Sequence, residues 1–221
     1  GIKPLFYQLK NKTSLSFSSE LPALLELIDE KLFLNKQAAF DYLIGERYDL
    51  SEKTFYESIL SLMPGEFIKF NLNDLTISKR KKWWKPSIKE NTQISFKEAS
   101  KKIREQFLEN INLHMRSDVN IGTALSGGID SSSIVCAMRY LKPNIDIHTF
   151  TYIAEGSKLN EEKWADKINQ HVDAISHKIK INPLGITEEI DDLIESQGAP
   201  FASTSTYAQY KVFEKIKKEK I

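Results

Sequence analysis

Only one cysteine, Cys136, occurs in the 221 residues. A single thiol excludes an intrachain disulfide framework and suits a reducing compartment, the cytoplasm being the expected one. No apolar run is long enough to cross a bilayer as a helix, so no membrane partner is expected. No signal-peptide pattern is visible, but the chain begins at Gly1 rather than Met, so nothing follows about targeting. There is no excess of charge: 31 basic residues face 30 acidic ones, for a net charge of +1. That balance lacks the electrostatic footprint of a nucleic-acid binder. The one basic run, Lys79-Arg80-Lys81-Lys82, is short, abuts Trp83-Trp84, and reads more plainly as a solvated loop. Internal repeats and low-complexity segments are also missing. With 41% hydrophobic residues, a real core can be buried and wholesale disorder is excluded.

The pattern changes character near Trp84-Lys85-Pro86, which divides the chain into residues 1–86 and 93–221 around a linker. Before it, short apolar stretches alternate with turn residues. Leu5–Leu9 and Ser14–Phe17 flank Asn11-Lys12-Thr13 and read as a strand pair. Leu21–Leu27 and Gln37–Leu43 read as short helices. Pro64-Gly65 marks a turn before Glu66–Phe70, an alternating strand with which Leu75–Ile77 could pair. After the linker, helices and strands alternate. Phe96, Ala99, Ile103, Phe107, Ile111 and Met115 recur at helical spacing, predicting one buried stripe. Strands are expected at Val119–Leu125, Ile145–Ile153 and His177–Ile181. Helices are expected at Ser132–Leu141, at Glu161–Val172 with Trp164, Ala165, Ile168 and Val172 inward, at Ile186–Ser196 and at Ser205–Lys220. Such alternation predicts an α/β fold with a parallel sheet covered on both faces.

Parallel sheets present ligands at the carboxyl ends of their strands. Ser126-Gly127-Gly128-Ile129-Asp130-Ser131 falls at such an end, between an apolar strand and an apolar-faced helix. Two residues without Cβ let backbone N–H groups approach a phosphate closely. The following helix turns its partly positive end toward the anion. Ser126, Ser131 and Ser132 add hydroxyl donors. Asp130 would repel a phosphate unless Mg²⁺ lies between them. A Gly-Gly turn before a capped helix is the plainer alternative, but the full pattern favours nucleotide binding. No Gly-x-x-x-x-Gly-Lys-Ser/Thr loop is present, so no loop lysine reaches a γ-phosphate.

This run resembles the Ser-Gly-Gly-x-Asp-Ser signature of the ATP pyrophosphatases, whose fold is adenine nucleotide alpha hydrolase-like. Its flanks narrow the likeness. Arg116-Ser117-Asp118-Val119, Gly122 and Leu125 before the loop resemble the synthetase domain of glutamine-dependent asparagine synthetases. So do His148-Thr149-Phe150, Asn160-Glu161 with Ala165, and His177, which resembles part of a histidine pair common on the third strand. Gly1–Tyr7, Phe17–Glu20, Leu24-Leu25, Ile59–Glu66 and Trp84 resemble the latter, α+β part of that family's Ntn-type glutaminase domain.

The resemblance implies ATP and Mg²⁺ as cofactors, with aspartate and glutamine-derived ammonia as substrates. It implies Ser126, Gly127, Gly128 and Ser131 on pyrophosphate, Asp130 as the catalytic metal ligand, and Leu125 and Tyr152 beside adenosine, partly through backbone. It leaves a homo-oligomer open. The family's glutaminase nucleophile is an N-terminal cysteine, and a second loop with an Asp-Glu pair completes its metal site. Neither is in this sequence, so the chain is expected to be truncated at both ends and inactive by itself. Cys136, without a nearby histidine, is expected to be structural. Asn120 stands where the family often has Pro, Asn160 where Asp is common, and Tyr152 where an aliphatic residue often packs. These departures keep a lactam-forming synthetase or cyclase, or a non-catalytic nucleotide-binding module, as alternatives.

Overall fold

A computed structural model describes residues 3–10, 14–74, 76–90, 92–157, 160–201 and 203–221. The chain forms two compact units, Gly1–Lys89 with Asp191–Ala202, and Glu90–Ile190 with Ser203–Ile221.

In the first unit, β1 (Phe6–Lys10) lies between β2 (Ser14–Ser18) and, by a longer connection, a short β3 (Leu60–Ser61), all antiparallel. The expected turn residues Asn11, Lys12 and Thr13 lie outside the described residues. Two helices intervene, α1 (Leu21–Leu25) and α2 (Lys36–Gly45). Pro22 in the first turn favours the start of α1, since its missing N–H is unneeded there. Asn35 starts α2 by accepting from the Ala38 N–H at 3.2 Å. Leu21, Leu24 and Ile59 form a small core, each worth about 1.5–3 kcal/mol of burial. Gln8 is buried beside it, and its amide donates to Glu30 and Ser58 at 2.8 and 2.9 Å.

The single strand expected over Glu66–Phe70 is two. Strand β4 (Glu66–Phe67) and β5 (Phe70–Asn71) run out to a turn; β6 (Thr76–Ile77) and β7 (Lys81–Lys82) return. Leu75 lies outside the described residues. Phe70 pairs with Ile77, yet Phe67 pairs with Lys81 rather than with the residue before it. One extra residue therefore sits in the returning strand, a bulge that breaks the ladder. Lys79, Lys81 and Lys82 of the basic run are solvent-exposed as expected, but the run is not a plain loop: it holds the bulge and β7, and Arg80 forms an ion pair with Glu52.

The second unit begins with α3 (Phe96–His114). Ser95 and Glu98 cap it reciprocally, at 3.3 Å from the Glu98 N–H to Ser95 and 3.1 Å from the Ser95 N–H to Glu98. Its apolar stripe is only partly buried. Ile111 and the capping Met115 reach the core, whereas Phe96 and Ile103 are 88% and 67% exposed. Then follow β8 (Gly122–Ala124), α4 (Ile129–Leu141), β9 (His148–Ile153), α5 (Glu162–Val172) and β10 (Ile175–Lys180). The three strands are parallel, as the alternation predicts, and their order is β10-β9-β8. Strand β8 is shorter than expected. Val119 is exposed, and its N–H is taken by the Ser117 hydroxyl before pairing begins at Gly122.

Helices α6 (Ile186–Gln197) and α7 (Thr204–Lys218) complete the chain. Side chains alternate across β9. Thr149 points to α5, where it donates to Asn169 at 2.6 Å. Phe150 points to the other face, where Val212 and Ile216 of α7 cover it. Val135 and Met138 of α4 pack with Leu125, Ile147, Ala165 and Val172 in the larger core. Arg139 fastens one end of this layer. Its guanidinium donates to the carbonyls of Val172, Pro143, Ile145 and Asp173 at 2.7, 2.6, 2.9 and 3.1 Å. Those carbonyls lie at the carboxyl end of α5 and just before β9, where helix ends leave acceptors unsatisfied.

Candidate functional site

The loop leaves the sheet at its carboxyl edge. Leu125 makes the last contact with β9, its N–H donating to the Phe150 carbonyl at 2.9 Å. Its side chain is 1% exposed and belongs to the core, so only its backbone can face a ligand. Ser126 is exposed. Gly127 follows with φ of +81°, a conformation that a side chain would strain. Space forbids one as well. A Cβ there would stand 2.7 Å from the Ala165 N and 2.8 Å from the Trp164 Cβ. Gly127 is thus pressed onto the first turn of α5. Gly128 has ordinary dihedrals and caps α4, which begins three residues earlier than its apolar pattern suggests. Asp130 and Ser131 therefore occupy the helix's first turn, where N–H groups have no intrahelical acceptor.

Serine hydroxyls hold the loop in shape. Ser126 Oγ accepts from the Gly128 N–H at 3.2 Å, and Ser131 Oγ accepts from the Ser126 N–H at 3.2 Å. The two hydroxyls lie 3.0 Å apart, and Ser131 Oγ is 3.3 Å from the Gly128 carbonyl. Ser132 differs. Its hydroxyl is buried and has no hydrogen-bond partner among the described residues, and the same holds for Thr151 on β9. Such orphans carry a desolvation cost that a ligand or an ordered water can relieve.

Asp130 is exposed beside the loop. Among the described residues, no group of three or more His, Cys, Asp or Glu side chains could hold a metal. Mg²⁺ that arrives on phosphates needs only one or two carboxylates, so one aspartate at the loop fits that mode of binding. Tyr152 lies two residues beyond Phe150 and is 41% exposed. The structure thus brings Leu125 through Ser131 together and places Tyr152 on the adjacent strand. Cys136 lies within α4, half-buried against the larger core.

Three features escaped the sequence. Trp164 does not face inward: it is 54% exposed, with the ammonium groups of Lys163 and Lys167 at 5.8 and 4.6 Å from its ring centre. Its Cβ lies beside the loop glycine. The orphan hydroxyls of Ser132 and Thr151 are the second feature; only their place in the fold marks them out. The third is a hydrogen bond between His177 of β10 and His148 of β9, rather than a pair within one strand, with Nδ1 and Nε2 3.0 Å apart. His177 also stacks on Phe150 at 4.5 Å and lies 3.7 Å from Glu219. Burial holds the His177 imidazole below its ordinary value, while the Glu219 carboxylate pulls the other way.

Residues 102–221 match the family model for asparagine synthase, and residues 1–84 match that for a glutamine amidotransferase domain. A protein named "Putative asparagine synthetase (glutamine-hydrolyzing) 2", from Methanocaldococcus jannaschii, is 29% identical over 220 residues, covering 99% of this chain and 42% of that protein. Asparagine synthetase (glutamine-hydrolyzing) 1 of Bacillus subtilis is 27% identical over 219 residues, covering 99% and 33%. Amidase chry2 of Gibberella zeae is 25% identical over 165 residues, covering 73% and 22%. The chain spans less than half the length of each of these relatives. No helix among the described residues is long and apolar enough to cross a membrane. With the asparagine synthase model matched over more than half of its residues, the chain belongs to the asparagine synthase family.

Proposed function

We propose that the second unit binds ATP at the Ser126–Ser131 loop and serves an asparagine synthetase that draws ammonia from glutamine. The observation that carries this reading is the loop itself. Gly127 is held at positive φ, the serines fix the turn, and the first turn of α4 opens at the carboxyl edge of a parallel sheet. Backbone N–H groups in such a place bind anions.

In this reading the β-carboxylate of aspartate attacks the α-phosphorus of ATP. The bond to the β-phosphate breaks, leaving β-aspartyl-AMP and pyrophosphate. Ammonia then adds to the acyl carbon and AMP leaves. Carboxylate itself offers ammonia no good leaving group, and adenylation supplies one. The first-turn N–H groups of α4 and the hydroxyls of Ser126 and Ser131 would stabilise charge on the departing pyrophosphate. Ser132, buried and unpartnered, is available as a further donor. Asp130 would hold Mg²⁺, which when bound neutralises part of the phosphate charge. The Leu125 backbone and Tyr152 would border adenosine. Cys136 packs into the core and has no part in glutamine hydrolysis. The reduced cytoplasm suits a chain with one free thiol.

Calorimetry with MgATP tests the loop, and ATP–pyrophosphate exchange in the whole protein tests the chemistry. Binding abolished by Asp130→Asn together with Ser126→Ala supports the assignment. Binding unaffected by both withdraws it. The amidase name among the relatives favours a second reading with the same loop and a different acyl acceptor. Exchange that depends on an acid other than aspartate would select it.

A further inference from the structure

Phosphate-binding loops commonly bring their own cation, and this one brings an anion, Asp130. A triphosphate carries more negative charge than one Mg²⁺ neutralises. The remainder needs a cation supplied by some other element, and the structure offers two on the helix against which the loop is pressed.

Lys163 and Lys167 lie one turn apart on α5 and are exposed. Neither is paired with a carboxylate among the described residues. The reason is local. Glu162 and Asp166 are the acidic residues of α5; only Asp166 has pairing spacing, three residues after Lys163, and Lys167 has no acidic residue three or four positions away on the helix. Both are drawn instead to Lys178 of β10, at 2.8 and 2.9 Å. The two uncompensated ammonium groups settle over the indole of Trp164, and Lys167 sits nearer its centre, at 4.6 Å. An indole face attracts an ammonium without consuming its N–H donors. It also restrains a long side chain, so less freedom is lost when an anion binds. Trp164 is the residue whose Cβ would meet a Cβ on Gly127 at 2.8 Å, so the residue that carries both cations leaves its helix beside the loop.

We propose that Lys163, Trp164 and Lys167 form a cationic shelf beside the loop that receives the β- and γ-phosphates of ATP and retains pyrophosphate after cleavage. The shelf rests on the reading of the loop given above. It supplies from a neighbouring helix the positive charge that the loop sequence lacks. Its ligand chemistry is phosphate oxygen, and a dicarboxylate such as aspartate is the competing source of negative charge.

The test is a calorimetric titration of sodium pyrophosphate, without divalent metal, into the full chain and its variants. Wild type is expected to bind pyrophosphate and to give no heat with aspartate at equal ionic strength. Lys163→Gln with Lys167→Gln should raise Kd about tenfold, equivalent to about 1.4 kcal/mol. Lys163→Arg with Lys167→Arg should restore it, which separates lost charge from lost structure. In a Trp83→Phe, Trp84→Phe background, Trp164 emission should change on adding pyrophosphate. Unchanged affinity in the double Gln variant, with Ser126→Ala still weakening binding, overturns the shelf and leaves the loop. Heat with aspartate matching that with pyrophosphate overturns the phosphate assignment. No binding of pyrophosphate by wild type overturns shelf and loop together.

Discussion

His148 Nδ1 and His177 Nε2 stand 3.0 Å apart across neighbouring parallel strands, one imidazole donating to the other. Such a bond needs at least one ring nitrogen without a proton. Glu219 and Lys215 of the last helix, of opposite sign, complete the charged surroundings. Because burial depresses the His177 value, the folded chain takes up its proton less readily than the unfolded chain. The stabilisation is therefore complete above the ordinary value of 6.5 and is lost as pH falls below it toward the folded value. Urea melts of wild type and His177→Gln between pH 8 and 5 check this. The gap between them should be widest at the alkaline end and narrow on acidification.

Gly127 and Gly128 are neighbours with different duties. Gly127→Ala puts a methyl group against backbone atoms at positive φ, and should cost roughly 1–3 kcal/mol of stability. Gly128→Ala meets only the movable Ser126 hydroxyl, at 3.2 Å, and should cost less than about 1 kcal/mol. Its larger effect should be on pyrophosphate affinity. Thermal melts beside calorimetry separate the two, and equal melting temperatures for both variants would contradict the geometry.

Asp130→Asn keeps the shape and removes the charge. At the first turn of a helix, an exposed carboxylate contributes about 0.3–1 kcal/mol through the helix dipole. The melting temperature should move by only a few degrees. MgATP binding should lose its dependence on Mg²⁺, and exchange in the whole protein should fall by orders of magnitude. A lowered melting temperature with Mg²⁺ dependence intact would make Asp130 a capping residue.

Arg139→Met removes four hydrogen bonds to carbonyl oxygens while keeping an apolar stem of similar length. Part of that loss is regained by water, so the expected cost is about 2–3 kcal/mol. Pyrophosphate binding measured well below the melting temperature should not change. Arg139→Lys should recover little, since one ammonium cannot reach four carbonyls from a planar fork.

Alternation and loop chemistry made the second unit readable from its residues. An apolar strand, two glycines and a serine-rich helix start are local signals, and the structure keeps them in that order. Strand ends were less legible. Val119 has a strand-like side chain, but Ser117 captures its N–H, a competition invisible in a hydrophobicity pattern. Trp164 misled for a similar reason. Its spacing with Ala165 and Ile168 suits a core face, yet of the three only Ala165 is fully buried there, and the Trp164 ring stays half exposed under Lys163 and Lys167. The bulge near Arg80 was hidden because it depends on which residues pair across the ribbon, and alternation within one strand does not carry that. His148 became a partner for His177 only once the register of β9 and β10 was known.

Arg139 works at the amino edge of the sheet, and the Ser126–Ser131 loop works at the carboxyl edge. Cohesion and the proposed nucleotide site therefore lie at opposite margins of the same three strands. An engineer who wants a hardier version of this domain can alter helix ends, turns and charges along the margin that Arg139 ties. The margin that carries the proposed nucleotide loop can then be varied on its own.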